Sequence, residues 1–437
     1  MEAATSVYFV PHETVSLAVD RVFFAVDHRA IPVHLIFMMR VGYLSGSPRI
    51  STRVQAEEHG PACHILGTLS GFRSAGWGVF PYIVGDRVPL SWVSGPGLRS
   101  RFGACRRLAA DMLRIASNQW HRRKAYRELG GNLDWVYERY GVFQSLGLIF
   151  QKQGIPWILE TNTPFALENE RETSRRSVCL RTAARSHEKR AYQRCDALVV
   201  QTAALKDIVI DFTRMDAEKV FVVPNAVDIA RFSDPAPVRK FPSPTIGFVG
   251  ALRRWQALDN LIRAIGDLGR EGIAYNLVII GEGEKQHEWR RLAQTVGVAA
   301  RVCFAGSVPF GEIPAWIAGF DIGFCGQAGS VAGRPMYFSP LKLYEYMAAA
   351  RPVLASDHED ARRLVVPGET GFLFAPDSLP ALTVVLRQAW HERGRWPAMG
   401  RRARQVIASG HTWDVRIHST IAQLQGFLRA KGFPASA

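Results

Sequence analysis

The sequence predicts an α/β protein of two doubly wound, Rossmann-like domains facing each other across a cleft. Three observations point there. Short apolar runs alternate with longer helix-like stretches in both halves of the chain, the pattern of parallel sheets built from βαβ units. Pro235, Pro237, Pro242 and Pro244 crowd into ten residues, a density that neither a helix interior nor a central strand tolerates. At 437 residues the chain outgrows one ordinary core and suits two domains of about 200 residues each.

In the first half, strands are expected at Arg40–Leu44, Trp135–Tyr137, Pro156–Glu160, Ala197–Gln201 and Val220–Val223. A helix-like stretch, rich in Arg, Glu and Ala, runs from Arg171 to Arg194. Ser45-Gly46-Ser47-Pro48 is a turn cluster after the first strand, the small-residue loop expected at a strand's carboxyl end. In the second half, strands are expected at Thr245–Val249, Asn276–Ile280, Arg301–Ala305, Asp321–Phe324, Pro352–Ala355 and Gly371–Phe374. The chain thus divides into 39–233, a linker at 234–244, a second domain at 245–410 and a terminal segment at 411–437. Residues 1–38 show no clear caps or steady period. Met38 and Met39 directly precede the first strand, so this segment is either an N-terminal extension or a misplaced start.

Apolar residues make up 47% and charged residues 21%, the balance of a folded chain rather than a disordered one. Six cysteines stand without a C-x-x-C pair or partner histidines, which argues for free thiols in a reducing, cytoplasmic setting and against structural zinc. No run of about 20 apolar residues is present to span a bilayer. Asp20, Arg21, Asp27, His28 and Arg29 interrupt any secretory signal.

A net charge of +15 calls for an anionic partner: nucleic acid, a membrane surface or phosphorylated substrates. No recognised nucleic-acid motif is present, so nucleic acid is not expected. From Arg99 to Arg127 nine Lys/Arg accompany one acid, Asp111, interleaved with Leu108, Met112, Leu113, Ile115 and Trp120. Such a helix reads either as a peripheral contact to an anionic membrane surface or as a solvated face.

Residues 337–356, Tyr-Phe-Ser-Pro-Leu-Lys-Leu-Tyr-Glu-Tyr-Met-Ala-Ala-Ala-Arg-Pro-Val-Leu-Ala-Ser, carry the most chemistry. Ser339 and Pro340 predict a helix start, with a hydroxyl N-cap and proline at the first helical position. The helix is expected to run to about Ala350. Open N–H groups at Leu341 and Lys342, the helix dipole and the Lys342 charge make an anion site. Glu345 falls one turn further on, on about the same face, where a carboxylate accepts hydroxyl hydrogen bonds from a ribose. An ordinary capped helix with a Lys–Glu surface pair is the alternative.

This segment resembles the family 4 retaining glycosyltransferases of the GT-B fold, which carry Glu-x7-Glu at this helix; Ser-Pro-Leu-Lys-Leu-x-Glu-Tyr-Met-Ala-Ala is especially similar to one subtype. The resemblance extends over residues 40 to 430. Its other carriers are Val223-Pro-Asn-Ala-Val-Asp228 with Arg231-Phe232, Ile246-Gly-Phe-Val-Gly250, Gly281-Glu-Gly283, Val302-Cys-Phe-Ala-Gly306 and Gly368-Glu-Thr-Gly-Phe-Leu373.

The resemblance implies that Glu345 holds the donor ribose, and that Lys342 and the amides around Leu341 face the diphosphate. The family's first glutamate falls on Tyr337, which puts sugar identity in question. Its glycine after the helix is Ala350. The subtype's Gly-Ser-x-Lys-Pro-Trp-His-Gly corresponds to the stretch from Gly250, so Arg253 stands for the lysine, with Arg254 as the alternative, while Gln256 and Ala257 replace His and Gly. In the first domain Glu160-Thr-Asn162-Thr-Pro164 ends a strand where many relatives have a histidine near the reacting sugar, and the Asn162 amide can hydrogen-bond a sugar hydroxyl. Ser45 and Gly46 would form the loop opposite the donor, and Glu170 and Arg171 would approach the acceptor. A terminal helix, about Val415 to Lys431, would cross back to the first domain.

Asp357-His358-Glu359-Asp360 looks like a metal-ligand cluster but is read as a helix-capping turn. The expected activity is retaining, metal-independent transfer of a hexosyl group, with no cofactor and a nucleoside-diphosphate sugar as donor. The acceptor would be a glycan, a lipid or a small molecule. A sugar-nucleotide epimerase on the same fold and a degenerate nucleotide-sugar-binding protein without turnover remain as alternatives.

Overall fold

The computed structural model describes residues 39–53, 60–89, 103–167, 178–242, 244–331 and 333–433. Its first domain holds six strands: β1 (Arg40–Ser45), β2 (Gly78–Ile83), β3 (Trp135–Arg139), β4 (Trp157–Glu160), β5 (Ala197–Val200) and β6 (Val220–Val222). They form one parallel sheet in the order β2-β1-β3-β4-β5-β6. Its principal helices are α1 (Gly60–Ser74), α2 (Gly103–Leu129), α3 (Arg181–Arg194) and α4 (Ala203–Thr213). The second domain repeats the plan with β7 (Thr245–Val249), β8 (Asn276–Ile280), β9 (Val302–Gly306), β10 (Ile322–Cys325), the small hairpin β11 (Ser330–Val331) and β12 (Arg334–Pro335), β13 (Val353–Ser356) and β14 (Gly371–Phe374). The sheet order there is β14-β13-β10-β7-β8-β9. Its helices are α5 (Leu258–Arg270), α6 (Gln286–Thr295), α7 (Ile313–Ala318), α8 (Leu341–Ala348), α9 (Glu359–Leu364), α10 (Leu379–His391) and α11 (Trp396–Gly410), and α12 (Trp413–Ala430) follows them.

Most strands lie within a residue of their expected positions because buried parallel strands read as continuous apolar runs bounded by turns. The sequence reading missed β2. Its Pro81 cannot donate to a ladder, and the strand is tolerated because it sits at the sheet edge, paired only with β1. α5 shows the local logic of the second domain: Leu258, Leu261, Ile262, Ile265 and Leu268 recur at helical spacing and all are buried. α12 packs on the first domain, where Ile417, Ile421, Leu424 and Leu428 share a core with Val41, Ile65, Leu69 and Phe72. The hairpin region does likewise from the other side, since Val331, Met336 and Tyr337 join the first domain's core around Leu198 and Tyr192.

Two local expectations need correction. Ser339 does not cap α8: its hydroxyl bonds the Asp360 carboxylate and accepts the Asn225 N–H at 3.0 Å. The helix instead starts at Leu341, with Pro340 extended at the N-cap, and ends at Ala348. The Asp357–Asp360 segment is not a cap for its own helix either. Glu359 accepts N–H bonds from Ala203 and Ala204, so it caps α4 of the other domain. Asp360 is buried between Ser339, Tyr344 and Arg363.

Candidate functional site

Doubly wound sheets take ligands where the strand order reverses, beyond the carboxyl ends of the strands. That point lies between β1 and β3 in the first domain and between β7 and β10 in the second. The loops there face each other across a cleft of about 870 Å³, with Arg139, Asn162 and Gln201 on one side and Gly250, Gln256, Lys342 and Glu345 on the other.

α8 supplies the second-domain wall. Leu343, Tyr344, Tyr346 and Met347 are buried beneath it, which leaves Leu341, Lys342 and Glu345 on the side that lines the cleft. Lys342 Nζ donates to Gln256 Oε1 at 2.8 Å and sits 3.8 Å from the Phe248 ring centroid. Burial lowers its pKa to about 8, because a desolvated ammonium is the costly form. The same Nζ would stand 3.1 Å from a Cβ at Gly250, whose φ of 142° is also unsuited to other residues. A glycine here therefore brings backbone and ammonium together. One turn on, the Glu345 carboxylate makes no hydrogen bond or ion pair among the described residues. Burial pushes its pKa upward, against the pull of Arg231 and Lys342.

Arg253 and Arg254 do not join this wall. Ala257 adopts a left-handed conformation (φ 51°) that turns the chain after Arg254–Gln256, so that Gln256 points to Lys342. Arg253 is paired with Glu284 at 3.0 Å, and Arg254 lines a separate hollow beside Asp259 and Asp377. Tyr337 is likewise withdrawn from the cleft. It is buried, with its hydroxyl 3.1 Å from Thr163 Oγ1 across the domain seam. Thr202 donates to its carbonyl, and the Asn225 amide to that of Ser339, so the first domain grips the segment leading into α8.

On the first-domain side, Glu160 at the end of β4 sits fully buried among three basic groups. His64 Nε2 lies 2.9 Å away and Arg416 Nη2 3.4 Å away, and Arg139 completes the set. Burial alone would raise the Glu160 pKa, but these neighbours outweigh it and hold the carboxyl at about 2. Burial holds His64 at about 4, so at neutral pH its ring is uncharged. Arg139 Nη1 approaches His64 Nδ1 at 3.4 Å, which fits a neutral ring protonated on Nε2 toward Glu160. The Asn162 amide, with its oxygen oriented by this network, accepts from Arg139 Nη2 at 2.6 Å. Gly46 lies behind this layer, pressed on the Gln144 side chain, which a Cβ would meet at under 3 Å; Ser45 is buried beside it. Neither lines the cleft. Glu170 and Arg171 lie outside the described residues.

Arg139, His64, Gln256 and Asn225 are site residues that sequence reasoning missed. Arg139 had a signal, as a charge ending an apolar strand next to the switch point. Asn225 stood inside the quoted Pro-Asn-Ala-Val-Asp stretch. His64 had none, since α1 was not expected.

The two facing six-stranded parallel domains, with the cleft at their switch points, are a GT-B glycosyltransferase fold. Sucrose-phosphate synthase from Thermosynechococcus elongatus superposes with a TM-score of 0.65 at 16% identity, covering 90% of this chain and all of the other. Anabaena HepE, solved with UDP and glucose, superposes with a TM-score of 0.58 at 16% identity, covering 89% of this chain and 99% of the other. Residues 243–391 match the profile of glycosyl transferases group 1, and residues 81–231 that of glycosyltransferase family 4. The chain belongs to the group 1, family 4-like glycosyltransferases.

Among curated relatives, it is 29% identical over 215 residues to the GDP-mannose-dependent alpha-(1-6)-phosphatidylinositol monomannoside mannosyltransferase of Mycobacterium tuberculosis. That match covers 47% of this chain and 55% of the relative. It is 24% identical over 238 residues to the same organism's glycogen synthase, covering 54% and 55%. The chain spans about half the length of these curated relatives.

Proposed function

We propose that this chain is a retaining glycosyltransferase that moves a hexosyl group from a nucleoside-diphosphate sugar to a glycan, lipid or small-molecule acceptor. One observation carries the reading: Glu345, Lys342 and the residues that open α8 line one cleft, and among the described residues the Glu345 carboxylate makes no hydrogen bond or ion pair. Glu345 would accept the ribose hydroxyls. Lys342, the Leu341 amide and the Gly250 backbone would hold the diphosphate and, as the glycosyl bond breaks, the charge that builds on it. That electrostatic help comes from the chain's own groups, so the reaction needs no metal. Arg139 and Asn162 stand across the cleft, where they would orient the sugar or the incoming hydroxyl. Attack on the face the diphosphate leaves gives retention. Arg253 enters this scheme only by leaving Glu284, and Arg254 only by a larger swing.

A second reading has a specific observation behind it. Tyr337 replaces an acid and is turned into the seam, which favours a protein that binds nucleotide sugar without turnover. A donor panel led by GDP-mannose and UDP-glucose, the nucleotides named for its relatives, separates the two. Nucleoside diphosphate released steadily, only with acceptor present and undiminished by excess chelator, supports the transferase. Tight donor binding with no release across acceptor panels supports the binding protein.

A further inference from the structure

α2 buries three polar side chains and exposes four large apolar ones. Its inward side mixes apolar and polar groups: Ala125 joins the domain core, while Asp111, Asn118 and His121, spaced by seven and three residues, are all nearly inaccessible. Each has a structural task. Asp111 accepts from the Cys179 and Leu180 N–H groups at 2.6 and 2.9 Å, where α3 begins, and pairs with Arg114. Asn118 accepts the Ser145 N–H at 3.0 Å, and His121 Nδ1 meets the Tyr82 hydroxyl at 2.8 Å.

The outward side carries an apolar stripe. Among the described residues eight large hydrophobic side chains are exposed, and four of them lie on this one helix: Leu108 (41%), Met112 (56%), Leu113 (65%) and Trp120 (53%). Ala109 and Ala116 fall between them at helical spacing and are exposed too. Scattered exposed apolar residues need no explanation, but a contiguous stripe on one element marks a contact surface.

The charges around the stripe choose its partner. Arg123 and Arg127 are exposed on the same face one and two turns after Trp120, and Lys124 Nζ lies 4.8 Å from the Trp120 ring centroid. Glu128, the other acid of this helix besides buried Asp111, is already paired with Arg87 and Lys124. A second copy of this chain, with its own net charge of +15, offers the stripe repulsion rather than a complement. An anionic lipid surface offers both halves of what is missing: an apolar layer for Leu108, Met112, Leu113 and Trp120, and headgroups for the cations. No helix among the described residues is long and apolar enough to cross a membrane, so the contact is interfacial.

The geometry points to α2 as an interfacial anchor that lays its Leu108–Trp120 stripe in an anionic bilayer surface, with Arg123, Lys124 and Arg127 at headgroup level. The inner side of the helix is tied to the loop after β1. The Arg114 carbonyl of α2 accepts from Gln144 Nε2 at 3.2 Å, and Gln144 packs on Gly46 after β1. The anchor does not rest on the catalytic reading, and its test does not use turnover.

The test is co-sedimentation of the full chain with vesicles of phosphatidylcholine alone or with a third phosphatidylglycerol, at 50 and 300 mM salt. Binding is expected only to the anionic vesicles. It should fall about tenfold or more at the higher salt, since each Lys or Arg near such a surface strengthens binding about fivefold and its charge is screened within a Debye length. Met112→Ser/Leu113→Ser/Trp120→Ser changes side chains that are each more than half exposed, so it should keep the fold by circular dichroism yet lose at least tenfold in vesicle binding. Val384→Ser, an exposed apolar position on another helix, should bind like the parent. Absence of binding at 50 mM salt, or a triple variant that binds as the parent does, overturns the proposal. So does a dimer, seen by ultracentrifugation, that the triple variant abolishes.

Discussion

Lys342 Nζ and Gln256 Oε1 meet at 2.8 Å, so the cation at the head of α8 is held by a neutral amide and the Phe248 ring rather than by a carboxylate. An ammonium held this way keeps its charge for a ligand. Its pKa near 8 then gives a pH signature. A bound diphosphate raises that pKa, so affinity is full below pH 8 and declines as the free protein loses the proton above it. Between pH 7 and 9.5 the affinity for UDP or GDP should drop roughly tenfold, with proton uptake on binding near pH 8.5 visible as a buffer-dependent heat. A Lys342→Met variant should bind weakly at every pH and show neither effect.

Arg416 reaches from α12 into the first domain, donating to the Pro224 carbonyl at 2.6 Å while facing Glu160. Removing one partner of a buried charge set leaves the other uncompensated. Arg416→Met should therefore cost about 3 kcal/mol, read from urea unfolding at pH 7. The pH dependence has a defined sign. Glu160 has a depressed pKa in the folded chain, so its contribution is present above the unfolded carboxylate range and lost as pH falls toward 2. In the variant the folded pKa of Glu160 moves up toward its unfolded value, so this acid loss should be smaller and complete at a higher pH.

Ala257 and Ala350 both hold left-handed backbone, with φ of 51° and 54°, and both stand where the resembling sequences have glycine. An alanine pays a steric cost there that glycine does not, offset in part by glycine's freer unfolded chain. Ala350→Gly should raise stability by about 0.5–1 kcal/mol, seen as a higher urea midpoint at unchanged slope. Ala257→Gly should do the same, and because this residue sets the turn before α5, it should leave nucleotide affinity within about twofold.

Tyr337→Phe removes the hydroxyl that meets Thr163 across the seam and leaves Lys342 and Glu345 unchanged. Binding of UDP or GDP should stay within about twofold, while the turnover rate or the preference between GDP-mannose and UDP-glucose changes. Loss of nucleotide binding would place Tyr337 in the donor site after all.

The sheets were legible because the inner strands, such as β4, β5, β10 and β13, are buried along their whole length and read as apolar runs; β2 escaped because Pro81 looks like a break until its edge position is known. The placing of Lys342 and Glu345 together on the cleft side of α8 was legible, since both are set by local spacing. What decides the fate of Ser339, Tyr337 and Arg253 is not local. Ser339 turns to Asp360 and Asn225, Tyr337 to Thr163, and Arg253 to Glu284, partners between 21 and 174 positions away. The Glu160 cluster draws on β3, β4, α1 and α12 at once, and no spacing in the sequence announces such a convergence.

The central claim is that a nucleoside diphosphate binds along α8 with its ribose on Glu345. Calorimetric titration of UDP and of GDP into the parent and into Glu345→Gln tests it most directly. The substitution keeps shape and removes the charge, so losing charge-assisted bonds worth about 1.5–3 kcal/mol should weaken the better-bound nucleotide by about 10- to 100-fold. The corresponding free phosphate, which lacks a ribose, should bind both proteins alike. Equal nucleotide affinity for parent and variant would contradict the account and move the donor off this helix.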